Sequence, residues 1–212
     1  RNVTGVQTCA LPIYLCESKG IHLIQIFENE LVEQKDIVYS RLRNLLGYTK
    51  NKIYARKCKI RTISRKEKDE FLENNHIQGR DASSIMLGLT YNEELVSVMT
   101  LGKPRFNKNI QWELIRFCNK INHNVVGGAN KLFKEFIKTH DPSSVISYAN
   151  RRWSNSDNTV YTKLGFNLDG KTEPGYYYVK GLKLYNRLDF QKHKLKNVLV
   201  ERSEEHTSEL QS

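Results

Sequence analysis

The sequence predicts an α/β fold, an α+β arrangement built on a mixed sheet. Short β-branched runs alternate with stretches whose apolar residues recur at helical spacing. Two of the runs, Ile85 to Tyr91 and Leu95 to Leu101, lie close enough to form a hairpin, and Gly127-Gly128 breaks the chain between a strand and a helix. Such alternation packs helices onto a sheet around one core.

Taken in order, Ile21 to Phe27 is a β-branched-rich run after Gly20 and is expected as a buried strand. Glu30 to Leu46 follows as a helix: Leu31, Ile37, Val38, Leu42, Leu45 and Leu46 recur at helical spacing, and Gly47 stands where a stop belongs. Residues 47–52 form a polar, basic connection and the expected domain boundary. Ile53 to Ile63 is expected as one strand with interspersed Arg and Lys. Ser64-Arg65-Lys66-Glu67 then reads as a capping box opening a helix to about Asn75.

In the hairpin the odd positions of Ile85 to Tyr91 are apolar, Asn92-Glu93-Glu94 turns, and the second strand returns with Val96, Val98 and Met99. Trp112 to Cys118 is a further strand. The helix Asn130 to His140 places Leu132, Phe133, Phe136 and Ile137 on one face. Val145 to Ala149 is a strand, Asp157 to Leu164 a short helix, and Tyr176 to Lys180 a last strand.

A formal charge of +11 on 212 residues favours a polyanionic partner over an acidic one. No apolar run approaches the roughly 20 residues of a membrane span, so no membrane partner is expected. Four Cys without a close-spaced pair argue against a disulfide scaffold or zinc knuckle. They favour a reducing, cytoplasmic setting.

Both ends carry a foreign signature. One oligonucleotide resembling a sequencing-library adapter encodes Val3 through Ile13 on one strand and Arg202 through Ser212 on the other. Residues 1–13 and 202–212 are therefore expected to be adapter-derived tails, so the Asn2-Val3-Thr4 glycosylation pattern carries no information. Setting aside Arg1, Arg202, Glu204, Glu205 and Glu209 turns the charge of +11 into +12. The gene product is expected to have been longer at both ends.

The glycine-rich segment His123 to Ala129 falls between a strand and a helix. A turn of this kind either ends a strand structurally or presents unpaired N–H groups to a pyrophosphate. Some thirty residues later Tyr161 precedes Leu164-Gly165-Phe166, which reads alone as a glycine stop before a core aromatic. Glu113, before an apolar stretch of its strand, reads alone as one half of an ion pair, with Arg116 as the expected partner.

Basic residues form two stripes. The first comprises Lys50, Lys52, Arg56, Lys57, Lys59, Arg61, Arg65, Lys66 and Lys68; the second comprises Lys180, Lys183, Arg187, Lys192, His193, Lys194 and Lys196. Tyr176, Tyr177, Tyr178, Tyr185 and Phe190 interleave with the second, and cations for phosphates beside aromatics for bases favour DNA over a merely solvated face. Cys16, Cys58 and Cys118 are expected as small hydrophobes, and His76 and His140 as surface groups near helix ends. No metal site is expected. Glu28 and Glu30 are expected as solvated charges at a helix start, favoured by the dipole.

The succession of helix, hairpin, strand, glycine turn, helix, strand and short helix, from about Ile53 to Gly181, resembles the GNAT acyl-CoA-dependent N-acyltransferase superfamily. The resemblance implies a pyrophosphate loop at Asn124, Val126, Gly127, Gly128, Ala129 and Asn130, with acetyl-CoA or a related acyl-CoA as cofactor. It implies Tyr161 as the acid protonating the departing thiolate and Glu113 as the base. Asn124 is shorter than the Gln or Arg usual at its position, and Ser154 stands where Asn is usual.

Ile146 to Trp153, followed by Asn158 to Tyr161, is similar to the Mom-type branch of that superfamily, whose members modify adenine in DNA. With Arg151, Arg152, Lys183, Arg187, Lys192, Lys194 and Lys196, this implies duplex DNA as partner. Gly20 to Glu30 and the helix after it resemble the end of a very-short-patch-repair-like endonuclease domain of phage or mobile-element type, whose catalytic carboxylates and His lie upstream. The expected organisation is a nuclease stub at 14–49, a GNAT-like domain at 50–181 and a basic extension at 182–201, between the two tails.

Overall fold

The computed structural model describes residues 15–16, 18–150, 152–154, 159–170 and 177–186. The tails, Arg151, residues 155–158, Arg187, Lys192, His193, Lys194 and Lys196 lie outside the described residues. The chain divides into two units, Ile24–Asp169 and a second made of Arg1–Leu23 with Gly170–Ser212.

The larger unit is a mixed α/β fold. In order come α1 (Glu28–Glu33), α2 (Lys35–Leu45), β1 (Asn51–Tyr54), a short 3-10 turn (Ala55–Lys57), β2 (Lys59–Thr62), α3 (Arg65–Asn75), β3 (Ile85–Tyr91) and β4 (Glu94–Gly102). β5 (Trp112–Asn119), β6 (His123–Val126), α4 (Gly128–His140), β7 (Val145–Ser147) and α5 (Val160–Lys163) follow. The main sheet has the order β2-β3-β4-β5-β7, with only β7 running parallel to its neighbour. In the other unit, β8 (Tyr177–Lys180) and β9 (Lys183–Asn186) form an antiparallel pair.

Helices cover both sheet faces because apolar side chains alternate across the pleat. Leu87, Leu89, Met99 and Leu101 pack with Leu132 and Phe136 of α4, while Val98 packs with Phe71 and Leu72 of α3 on the opposite face. Gly88 lies on the second face, where an added Cβ would stand 2.6 Å from Leu95 Cδ1 and 2.8 Å from Ile63 Cγ2. A third cluster joins Ile37 and Val38 of α2 to Ile77 and Trp153.

Much of the expected layout is present. The Ser64 hydroxyl accepts from the Glu67 N–H, and the Glu67 carboxylate accepts from the Ser64 N–H, closing the capping box. The hairpin turns on Asn92 and Glu93, both left-handed at φ 50° and 62°. Glu94 is already paired with Tyr91, so the turn has two residues rather than three.

Other elements differ. Residues 21–27 form no strand; among the described residues they have no ladder partner, and a β-branched run becomes a strand only beside one. The helix expected from Glu30 to Leu46 is two helices, broken at Gln34, whose φ of -126° leaves the helical region. The expected strand from Ile53 to Ile63 is also two. β1 pairs in parallel with β6, the 3-10 turn redirects the chain, and β2 pairs with β3. Lys131 of α4 holds that turn by donating to the Ala55 and Cys58 carbonyls at 2.9 and 2.5 Å.

The boundary expected at 47–52 falls inside the larger unit. Across it, the Ser40 hydroxyl of α2 accepts from the Asn122 N–H at 2.7 Å and Arg43 donates to the Asn122 side chain at 3.2 Å. Among the described residues no helix is long and apolar enough to cross a membrane.

Candidate nucleic-acid interface and glycine turn

β1, the 3-10 turn, β2 and the start of α3 bring the first basic stripe to the surface. Lys50, Lys52, Arg56, Lys57, Lys59, Arg61, Arg65 and Lys66 are exposed. Of these only Arg61 has a carboxylate partner among the described residues, Glu67 at 2.7 Å. That contact, with the Ser64 bonds, holds the Glu67 carboxyl down at about 2. The Tyr54 ring is exposed beside the stripe, with the Arg56 guanidinium 5.3 Å from its centre.

Lys68 does not belong to this stripe. It is fully buried, and its ammonium donates to the Asp81 carbonyl at 2.5 Å, contacts the Asp81 carboxylate at 3.2 Å and pairs with Asp69 at 2.7 Å. Asp81 also accepts from the Thr100 hydroxyl and the Ser83 N–H, which together with Lys68 hold its carboxyl down against the opposing effect of burial. Position i+3 of a charged helix start gives no sign that one Lys turns inward.

The glycine turn links β6 to α4. Asn124 and Val126 are ladder residues of β6, facing Lys52 and Tyr54 of β1. Gly127 caps α4 at φ 78° with no side-chain hydrogen bond to the first turn, so the Gly128, Ala129 and Asn130 amides at its start have no side-chain cap. Gly128 has a packing role: a Cβ there would lie 3.1 Å from Val125 Cγ1. Asn130 is exposed.

Glu113 of β5 is fully buried, and both its oxygens are occupied by Arg105, through the backbone N–H at 2.9 Å, Nε at 3.0 Å and Nη2 at 2.6 Å. The ion-pair partner is thus Arg105 and not Arg116, whose Nη1 donates to the Ile115 carbonyl. Tyr161 on α5 is half-buried, its ring 6.1 Å from Phe166 at 82°, against the main core.

Arg152 is turned inward. It donates to the Glu30 carboxylate at 2.9 and 2.6 Å and to the Gln25 carbonyl at 3.2 Å, with its guanidinium 4.0 Å from the Phe27 ring centre. Glu30 is consequently buried, not solvated, and also accepts from the Phe27 N–H at 3.0 Å. Glu28 remains exposed. Lys183 is exposed on β9.

His76 is buried as well, contrary to its expected surface position. It ends α3 beside Ile77, which packs into the cluster with Val38 and Trp153, and its Nδ1 accepts from the Gln78 N–H at 3.1 Å. Burial, aided by Arg116 and Arg41, pushes it down to about 3. His140 is exposed and stacks on Phe136. Burial pushes the Cys118 thiol up to about 12 and raises that of Cys58, so neither is a nucleophile at neutral pH.

A groove of about 1000 Å³ between α1, α2, α3 and the hairpin is lined by Glu33, Asp36, Glu67, Glu70, Glu73 and Glu93, among others. Glu94 also lines it, and against these seven carboxylates stand Lys35, Arg61 and Lys120, so the groove is net acidic. Among the described residues no three His, Cys, Asp or Glu come together as metal ligands. Comparison with protein-family models, curated proteins and solved structures finds no match for the chain.

Proposed function

We propose that this protein binds duplex DNA through the basic surface formed by β1, the 3-10 turn, β2 and the first turn of α3, as part of a phage or mobile-element endonuclease carrying a GNAT-like domain. The observation that carries the reading is the set Lys50, Lys52, Arg56, Lys57, Lys59, Arg65 and Lys66: exposed, close in sequence and without carboxylate partners among the described residues. Neutralised phosphates release condensed counterions, so log affinity falls linearly with log salt, by about 0.9 per phosphate contacted. Substituting Gln for Lys52, Lys57 and Lys59 together is expected to flatten that slope by about 2 to 3. An unchanged slope and affinity in this variant would remove the assignment.

A second reading is acyl-CoA-dependent N-acyl transfer to an amine of DNA. It is supported by the parallel pair β5 and β7, which share register only over Trp112–Leu114 and Val145–Ser147 although β5 continues to Asn119. The α4 start without a side-chain cap suits the pyrophosphate of such a cofactor. Against turnover, Glu113 is fully buried and Arg105 engages both its oxygens through three hydrogen bonds, an ion pair and not a base facing a substrate.

Asn130→Asp tests the second reading. The added charge at the exposed first turn of α4 favours the helix but opposes a pyrophosphate. Acetyl-CoA is expected to raise the Tm of the original protein by mass action and to leave that of the variant unmoved. No shift in the original protein at millimolar acetyl-CoA would sink the second reading and leave DNA binding standing.

A further inference from the structure

The connection between β4 and β5 is Lys103-Pro104-Arg105-Phe106-Asn107-Lys108-Asn109-Ile110-Gln111, which carries three cations and no carboxylate. It is fastened at both ends. Near its start, the buried Glu113 carboxylate accepts from the Arg105 N–H at 2.9 Å, from Nε at 3.0 Å and from Nη2 at 2.6 Å. At its end, the Gln111 N–H donates to the Ser144 hydroxyl at 3.0 Å, and the Gln111 side-chain oxygen accepts from the Ser143 N–H at 2.8 Å. Between them the Asn107 side-chain oxygen accepts from the Asn109 N–H at 3.1 Å, which closes a turn.

What this fastening presents to solvent is a ring. Phe106 follows Arg105 directly and is 75 % exposed. Its ring lies 5.3 Å from that of Tyr148 at 85°, and the Arg105 guanidinium stands 5.6 Å from its centre. Lys103 and Lys108 are exposed on the same connection and have no carboxylate partner among the described residues.

A surface that docks a protein or lies on a membrane gathers further apolar side chains round such a ring. Here Phe106 is the one large hydrophobic exposed on residues 103–111, and the charges on either side of it are cations. An exposed aromatic held firmly among unanswered positive charges suits a nucleobase and its phosphates. Stacking needs the flat face of the base, which a duplex keeps covered, so the fitting ligand is unpaired DNA.

We propose that Phe106 stacks on an unpaired nucleobase of single-stranded DNA while Lys103 and Lys108 contact the adjoining phosphates. The contact is separate from the exposed basic stripe and does not depend on duplex binding there.

The test uses an oligothymidylate carrying a single 2-aminopurine, a base whose emission reports its stacking. Titrated with the full chain, it is expected to change its emission saturably. Phe106→Ala is expected to weaken binding about tenfold and to abolish the emission change, with Tm unaltered because the ring is exposed. Phe106→Trp keeps a stacking ring and is expected to retain both. Gln at Lys103 and Lys108 together is expected to flatten the salt dependence of oligonucleotide binding while the emission change at saturation persists.

A further arm separates this contact from the stripe. Gln at Lys52, Lys57 and Lys59 together is expected to keep the emission change, and Phe106→Ala to keep the salt dependence of duplex binding. Loss of the emission change in the stripe variant at saturating oligonucleotide, or its survival in Phe106→Ala, would overturn the proposal. So would an oligonucleotide that binds without a change in emission, or one that does not bind at all while duplex DNA does. Phe106-dependent binding to phosphatidylserine vesicles in place of the oligonucleotide would assign the ring to a membrane surface and overturn it equally.

Discussion

Arg152 grips Glu30 with both prongs of its guanidinium across 122 residues of chain, at 2.9 and 2.6 Å. The pair ties the short helix α1 to the turn after β7. It has 19 % and 9 % side-chain exposure, so breaking it strands a largely desolvated charge. Glu30→Gln is expected to cost about 3 kcal/mol in urea denaturation. The double variant Glu30→Leu with Arg152→Met is expected to recover part of this, since replacing both partners removes both desolvation terms. A double variant less stable than the sum of the two singles would contradict this account.

His76 sets the stability of the protein at mildly acidic pH. The unfolded chain takes up this proton near 6.5, whereas the folded chain takes it up only near 3, owing to burial and then Arg116 and Arg41, with Asp81 opposing. Between these values the unfolded state binds more protons, so stability is full above 6.5 and falls as pH drops towards 3. The limiting slope is about 1.4 kcal/mol per pH unit. His76→Gln is expected to flatten the profile between pH 6.5 and 4.5, above the range where the carboxylates titrate. A profile with the same slope in the variant would assign the titration elsewhere.

Gly88 is required by space, not by backbone conformation. Its missing Cβ makes room for Leu95 and Ile63, so Gly88→Ala is expected to destabilise by about 1 to 3 kcal/mol through overpacking. Trimming the neighbour should relieve it: Leu95→Ala in the Gly88→Ala background is expected to cost less than Leu95→Ala alone.

At the hairpin tip the prediction has the opposite sign. Glu93 sits at φ 62°, a region costly to a side chain and free to glycine. Glu93→Gly, giving Asn-Gly in a two-residue turn, is expected to raise stability by about 1 kcal/mol in thermal denaturation. A fall in Tm would mean that the Glu93 side chain makes a contribution larger than its strain.

What was legible in the sequence is what is local. The capping box of α3, the hairpin, the amphipathic face of α4 and the Gly47 and Gly127 positions follow from residues within a few places of one another, where periodicity and turn chemistry act. The break of residues 51–62 into strands of two different sheets was not legible, because Lys131, which clamps the redirecting turn, lies far along the chain. Nor were the inward turns of Lys68, Glu30 and Arg152, since a charged side chain carries no local mark of a distant partner. The run at 21–27 has strand composition but no neighbour to pair with, and composition alone does not supply one.

The parallel pairing of β1 with β6 has a kinetic consequence. β2, β3, β4 and β5 join in the order they leave the ribosome, each pairing with the next main-sheet strand in sequence, whereas β1 must wait for β6, which follows the whole antiparallel core in sequence. Pairings that close long loops form late and open first. Amide hydrogens in that small ladder should therefore exchange with solvent ahead of those in β3 and β4. Because β1 also carries part of the basic surface, a polyanion bound there would slow the exchange of these amides in particular.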